Sequence, residues 1–406
     1  MKTYICFLFY ILGIMNILTE SSYAQWVRTN GAYGAAAFAS KGSNLFAGTE
    51  GYGVSISNDN GNSWNVDNSC LSKSSVYALA VKDNLIFAGT SGSGAYISSN
   101  DGISWLAVNN GLGENAAVWA FAVIDSNLFA GTNLGVFLST DNGNKWTPMN
   151  SGLTDLSISN FAVKGSNLFA GTQGGIFLST NNGSSWKDVS SGLANKFIKA
   201  LTFSGTNLIA GTSTAGVYVS TDNGTGWVEV NNGLANKYIE DIAVSGMNIF
   251  AGTWNGIFLS TNNGINWESV NTGLTNTYFR ALTVNGGYIF AGLNAEKIWR
   301  RPLSEMIITG IEKDENNLPE KICLEQNYPN PFNPATAISY QLSAFSYVTL
   351  KIYDVLGREV KTLVAGYKAQ GKYTVNFDAS ELASGVYFYQ LHAGNFIAAK
   401  KLLLLK

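Results

Sequence analysis

The chain has 406 residues, 46% of them apolar and 13% aromatic, enough to bury sizeable cores in more than one domain, so disorder is not the starting expectation. Only 13% of residues are charged and the formal net charge is −2, which excludes the basic footprint of a nucleic-acid-binding protein and an acidic tail. Glycine is abundant at 44 residues and proline scarce at 6, a balance that suits many short strands joined by tight turns.

The N-terminal stretch MKTYICFLFYILGIMNILTESSYAQ places Lys2 before an apolar run from Tyr4 to Leu18, followed by the small residues Ser22 and Ala24. This is the pattern of a secretory signal, residues 1–24, cleaved after Ala24. The apolar run is short for a bilayer span of about 20 residues, and no later segment is long enough, so no transmembrane span is expected. Cys6 leaves with the signal. Cys70 and Cys323 lie in different regions and are expected as two lone thiols, and the single histidine, His392, excludes a His-based triad or a multi-His metal site.

From residue 25 to 304 the chain repeats itself. NLFAGT (Asn44 to Thr49) returns as LIFAGT, NLFAGT twice, NLIAGT, NIFAGT and finally YIFAGL (Tyr288 to Leu293), and the glycines Gly48, Gly89, Gly131, Gly171, Gly211, Gly252 and Gly292 are 40 to 42 residues apart. That period predicts an array of four-stranded units. Within each unit an apolar strand (A), the AGT strand (B) and a strand such as GVYVS (C) lead to a polar turn and a Trp-led strand (D). Six C-to-D turns, the first SNDNGNSW (Ser57 to Trp64) and the last STNNGINW (Ser260 to Trp267), fit Ser-x-(Asp/Asn)-x-Gly-x-x-Trp. The seventh unit has no such turn and no D strand, while the mature N-terminus carries an orphan D-like WVRTNG (Trp26 to Gly31). Pairing that orphan into the last unit predicts a closed ring of seven units without an exposed sheet edge.

The turns resemble the Asp-box, or bacterial neuraminidase repeat, and the resemblance implies a seven-bladed β-propeller. Asp59, Asn100, Asp141, Asn181, Asp222 and Asn262 exchange Asp for Asn freely, which assigns them a hydrogen-bonding role in the turn rather than catalysis or metal binding. The glycine two residues later is expected at positive φ. DNG also matches the start of a calcium loop, but no copy has Glu at its twelfth position. No metal, cofactor or catalytic residue is expected.

In Asp-box families ligands sit at the channel opening on the face away from the boxes. One A-strand position varies while its neighbours repeat, and it holds Ala36, Tyr77, Trp119, Ser159, Lys199, Glu240 and Arg280. Tyr77, Trp119, Lys199, Glu240 and Arg280 are the candidate ligand-binding residues, the aromatics for stacking and the charges for polar groups. Tyr52, Glu114, Lys237, Tyr238, Trp254 and Tyr278 are expected to widen that surface. The competing expectation is internal: Lys199, Glu240 and Arg280 pair with one another and the aromatics plug the channel. A sialidase of this family needs several arginines round the substrate carboxylate, whereas the propeller has only Arg28, Arg280, Arg300 and Arg301. Glu240 and Asp241 are adjacent on one strand and point apart, so they do not form a glycosidase pair. The expected role is therefore a non-catalytic scaffold for a glycan or protein ligand. The rival readings are a secreted sialidase-like glycoside hydrolase and an assembly factor resembling the photosystem II stability-factor propellers.

The period stops in a charged, Asn-containing linker, residues 305–320, and residues 321–406 alternate strand runs with glycine turns, which predicts a small Ig-like β-sandwich. The fold expected for the whole chain is all-β. NYPNPFNP, YDVLGREV, LASGVYFYQL and the closing AAKKLLLLK resemble the C-terminal sorting domain of the type IX secretion system of Bacteroidetes and related bacteria. The resemblance implies signal-directed passage of the inner membrane, then recognition by the type IX machinery, passage of the outer membrane, and a secreted or cell-surface location.

Overall fold

The computed structural model describes residues 25–66, 71, 73–275, 277–293, 296–306, 319, 321–343, 346–368, 371–394 and 396–406. The expected signal segment 1–24, Cys70 and nearly all of the expected linker 305–320 lie outside the described residues.

Each repeat folds into one antiparallel sheet in the order A-B-C-D. The first sheet is Ala35–Lys41, Asn44–Thr49, Gly53–Ser57 and Asn65–Val66, and five more follow the same order, up to the sheet whose A strand is Ile239–Ser245. The seventh consists of Phe279–Asn285, Tyr288–Leu293 and Lys297–Pro302, and its fourth strand is the N-terminal Val27–Tyr33. Among the described residues the repeats make seven four-stranded sheets, and their A strands touch in sequence, the last against the first. The B strands are buried along almost their whole length. A strand stacked between two neighbouring sheets has both faces covered, which is why AGT reads as a continuous apolar run rather than an alternating one.

Two kinds of contact hold neighbouring sheets together, and both explain repeated residues. At the inner end, the AGT glycine faces the first A-strand residue of the next sheet. A Cβ on Gly89 would come within 2.7 Å of Val118, and on Gly131 within 2.6 Å of Ile158. On Gly292 it would lie 2.1 Å from the carbonyl oxygen of Ala35, so the same close approach joins the seventh sheet to the first. At the outer end, the D-strand indole of the third to sixth sheets donates to the preceding sheet, as in Trp146 Nε1 to Val108 O (2.8 Å), Trp227 Nε1 to Val189 O (2.7 Å) and Trp267 Nε1 to Val230 O (2.6 Å), whereas Trp105 Nε1 donates within its own turn to Gly102 O (3.0 Å). Trp26 repeats the pattern across the closure, donating to Val270 O at 2.7 Å.

The six polar turns share one construction. In the first, the hydroxyl of Ser57 donates to Asp59 Oδ1 (2.8 Å) and accepts from Gly61 N (2.8 Å), while Asp59 Oδ1 also accepts from Ser63 N (2.9 Å). Asn181 Oδ1 accepts from Ser185 N (3.0 Å) in the same way, so an amide oxygen serves where Asp59 presents a carboxylate. The hydrogen bonds from Ser63 hold the Asp59 carboxyl down to a pKa of about 2. Positive φ is found at the expected glycines, and also at the residue before each of them: Asn60, Asp101, Asn142, Asn182, Asn223 and Asn263. Two consecutive left-handed residues explain why that position is restricted to Asn or Asp, the side chains that tolerate this conformation best after glycine. The seventh sheet lacks the turn, and Arg300 reaches from its C strand to the first turn, donating to Asn60 O (2.7 Å) and Asn62 Oδ1 (3.1 Å).

The C-terminal part has two facing sheets. One is Cys323–Leu324, Ala335–Leu342 and Gly371–Asp378; the other runs Glu359–Lys368, Ser346–Tyr353, Gly385–Ala393, Phe396–Leu404. Ile338, Tyr340, Leu350, Ile352, Tyr389 and Leu402 are among the residues of their common core. The strict alternation of ATAISYQL puts Thr336, Ile338, Tyr340 and Leu342 inside. Cys323 is a free thiol. The fold class is all-β: a β-propeller followed by a small β-sandwich.

Candidate functional site

Antiparallel order settles which residues share a face. A-to-B turns and the polar C-to-D turns lie at one end of every sheet, and D-to-A loops, B-to-C turns and the beginnings of the A strands lie at the other. All seven variable positions fall at the second end, and all seven are β-bulges. In the second sheet Val76 pairs with Thr90 and Ala78 with Gly89, leaving Tyr77 as the extra residue. The same shift isolates Ala36, Trp119, Ser159, Lys199, Glu240 and Arg280. A bulged residue stands outside the ladder and its side chain is re-aimed, so the ladder does not constrain its identity. This is why one position varies between neighbours that repeat.

The side chains at this end join into a belt. Lys199 Nζ donates to Glu240 Oε2 (3.2 Å), and Trp254 Nε1 donates to Glu240 Oε1 (2.5 Å). Trp254 stacks on Tyr238 with ring centroids 4.7 Å apart and planes 10° apart, and meets Tyr278 at 5.7 Å. The guanidinium of Arg280 lies over the Tyr278 ring at 5.5 Å. Arg280 Nη2 is 3.3 Å from Glu50 Oε1, which also accepts from the Tyr77 hydroxyl at 3.4 Å. Tyr77 in turn packs on Trp119 with centroids 5.1 Å apart. Burial, with the Glu50 charge second, raises the Tyr77 pKa.

The belt thus runs through the fifth, sixth, seventh, first, second and third sheets. The fourth contributes Ser159, whose hydroxyl lies within hydrogen-bonding distance of Gly171 O (3.0 Å) and Ile198 O (2.6 Å). Lys199 pairs with Glu240 as the internal alternative expects, whereas Arg280 pairs with Glu50. Glu50 carries no expectation from the A-strand alignment. Its signal is one residue beyond the AGT motif, where Glu50, Ser91, Asn133, Gln173, Ser213 and Trp254 form a second variable column. Of the other expected rim residues, Tyr52, Tyr238 and Trp254 are exposed at this end, Lys237 pairs with Glu229 (2.5 Å), and Glu114 is exposed.

Asp241 follows the bulge and points away from the belt. It is half-buried by accessible surface, and its two oxygens accept from Ile242 N (2.8 Å) and from Leu282 N of the next sheet (2.7 Å). Burial outweighs those hydrogen bonds and raises its pKa to about 7. The folded state therefore holds this proton more tightly than the unfolded chain. The resulting stability is full below the unfolded value of 3.8 and is lost as pH rises towards about 7. Melting curves between about pH 4 and about pH 8 are expected to show Asp241→Asn losing less Tm with rising pH than the parent; parallel curves would refute the assignment.

Glu240 engages both oxygens within the belt, and Asp241 engages both with backbone N–H groups. Among the described residues no group of three or more His, Cys, Asp or Glu side chains is placed to hold a metal ion.

Fold and site together define the class: a β-propeller with a variable bulge belt on one face, joined to a β-sandwich. Residues 326–405 match the secretion system C-terminal sorting domain, and residues 127–237 match the DUF6242 beta propeller domain. No curated protein matches the chain. Among solved structures, PorZ, a surface component of the type-IX secretion system of Porphyromonas gingivalis, is similar over 94% of this chain and 60% of its own, with 15% identity and a TM-score of 0.54. The chain therefore spans less than two thirds of that structure. YCF48, solved with a bound peptide, is similar over 70% of this chain and 97% of its own (13% identity, TM-score 0.58). The extracellular domain of the one-component system BT4673 from B. thetaiotaomicron is similar over 83% and 47% (16% identity, TM-score 0.59). At these identities the likeness is one of fold. The sorting domain makes the chain a secreted or cell-surface protein. Among the described residues no helix is long and apolar enough to cross a membrane.

Proposed function

We propose that this chain is an exported binding protein: an Asp-box-type, seven-bladed propeller that captures a ligand without catalysis at the belted end of its channel, delivered by a sorting domain read by the type IX secretion machinery. One observation carries the reading. The seven positions that escape the repeat are all bulge residues, and five of them, Lys199, Glu240, Arg280, Tyr77 and Trp119, are linked by side-chain contacts along one face while the opposite face is built from near-identical turns.

Between the two ligand classes, the belt favours a protein or peptide over a glycan. The carboxylates and the indole N–H that would bond sugar hydroxyls are already paired with one another. The exposed apolar side chains Tyr52, Leu134, Leu156, Tyr238 and Trp254 all stand on loops at this end. Tyr, Trp and Arg are the residue types that dominate protein interfaces. The peptide-bound YCF48 structure is compatible with a propeller of this kind acting as an assembly factor.

The test is a parallel screen of the mature protein on a glycan array, on fluorogenic glycosides and on peptides displayed from surface proteins of the producing cell. Peptide capture that falls about tenfold or more in Trp254→Ala and Trp119→Ala is the expected result. Glycoside turnover would overturn the non-catalytic reading, and glycan binding would overturn the preference for a polypeptide.

A further inference from the structure

The sorting motifs of the C-terminal sandwich divide into residues that hold the fold and residues that do not. In NYPNPFNP, Asn327 is buried, its backbone N–H donating to the Tyr389 hydroxyl oxygen (2.8 Å) and its side-chain amide to Thr336 Oγ1 (3.0 Å). Asn330 Oδ1 accepts from Leu403 N (2.9 Å), Phe332 N donates to Leu403 O (3.0 Å), and Leu405 N donates to Phe332 O (3.0 Å). The motif thus caps the outer edge of the last strand, an edge that would otherwise invite pairing with another chain. Between these clamped residues Tyr328 pairs its backbone with Ala337 and leaves its side chain 82% exposed.

YDVLGREV is built the same way. Asp354 Oδ1 accepts from Leu356 N (2.9 Å) and Arg358 N (3.0 Å), its Oδ2 accepts from Arg358 Nε (2.7 Å), and Gly357 takes φ +76°. The turn is fully specified by Asp354 and Gly357, yet its tip carries Val355 and Leu356, 66% and 73% exposed. Turn tips are ordinarily polar, and two consecutive apolar residues there add nothing to the fold.

Strand register brings these features to one end of the sandwich. Tyr353, next to the turn, pairs with Phe388, and Phe388 pairs with Lys401 of the last strand; just before the first motif Gln326 Nε2 donates to Lys401 O (2.8 Å), and three residues further along that strand Leu404 bridges to Phe332 of the motif. Lys401 is exposed and in no ion pair among the described residues, whereas Arg358 and Lys351 are neutralised by Asp354 and Glu359. Lys401 therefore sets one positive charge without an ion-pair partner, among the described residues, beside these exposed apolar side chains.

We infer that Tyr328, Val355 and Leu356, with Lys401 beside them, form the surface by which the sorting domain is recognised, and that its partner is an export-machinery protein presenting an apolar patch with an acidic rim. The inference rests on the sorting-domain match. The test is made on the full chain in a cell with the secretion system, by labelling intact cells and by fractionation. Tyr328→Ala, Val355→Ser and Leu356→Ser combined are expected to lower surface display about tenfold or more, with the protein retained in the periplasm and the purified chain melting as the parent does. Leu356→Ser alone, at an exposed turn tip, serves if the triple variant fails to fold, and Ile103→Ser, an exposed apolar residue of the propeller, is expected to leave display unchanged. Undiminished display of the recognition variants, in cells where deletion of residues 324–406 abolishes it, overturns this surface but not the sorting role. Display of the deletion variant overturns both. Binding of the full chain to anionic phospholipid vesicles that the substitutions abolish would overturn a protein partner in favour of a lipid surface.

Discussion

Trp26→Ala is expected to cost the propeller about 3–5 kcal/mol, among the largest losses for any single residue of the chain. The side chain is buried, packs with Phe250, Ile257, Phe279 and Trp299, and donates its indole N–H to Val270 O. Its position adds to the effect. Trp26 opens the only strand that joins the first residues of the described chain to the last sheet, with Val27 opposite Arg300, Arg28 opposite Trp299, and the Thr29 hydroxyl on Ile298 O (2.8 Å). An internal Trp such as Trp186 is held in its sheet by chain connectivity on both sides, whereas Trp26 is held by its contacts alone. Urea melts should show a larger loss of stability for Trp26→Ala than for Trp186→Ala. Equal losses would mean that the N-terminal strand does not secure the ring.

The second large effect concerns the glycine at the other side of the same seam. In Gly292→Ala the new methyl meets the backbone oxygen of Ala35 at 2.1 Å, and a backbone atom cannot move aside without shifting the first strand of the first sheet. A loss of about 3 kcal/mol is expected. In Gly252→Ala the first obstacle is Leu282 Cδ1 at 3.0 Å, the end of a flexible side chain, and about 1 kcal/mol is expected. Thermal or urea denaturation of the two variants side by side tests the ranking, and a reversed order would show that the ring closes with more slack than this geometry allows.

Much of the fold was legible because a repeat is read seven times. Any one GIFLS is ambiguous, but a period of 40 to 42 residues with a strand-turn-strand order at each step is not. The variable A-strand column was legible for the same reason. What it meant was not, because a β-bulge is a relation between two strands. Tyr77 is an extra residue only with respect to Thr90 and Gly89. Glu50 escaped the alignment although it links Arg280 to Tyr77, since it stands on a turn outside the strand being aligned, and the contact joins three successive sheets. The left-handed Asn and Asp residues before the turn glycines were visible as composition but not as conformation, because several turn types accept the same residues. In the sorting motifs, sequence marked the whole of NYPNPFNP alike, and only burial separates the clamping Asn327 and Phe332 from the exposed Tyr328.

By itself the sequence determined the unit, its period and the chemistry of each turn, because these are set by local preferences and by a periodicity that survives without any knowledge of neighbours. It also determined that the last unit lacks a strand and that the N-terminus has one to spare. Which side chains meet across sheets was decided by the tertiary structure alone: the pairing of Arg280 with Glu50, the hydrogen bond from Leu282 N to Asp241, and the convergence of distant motifs at one end of the sandwich. Such contacts depend on how sheets stack and on where bulges turn a side chain out of its ladder, and neither is encoded in the order of residues along a single strand.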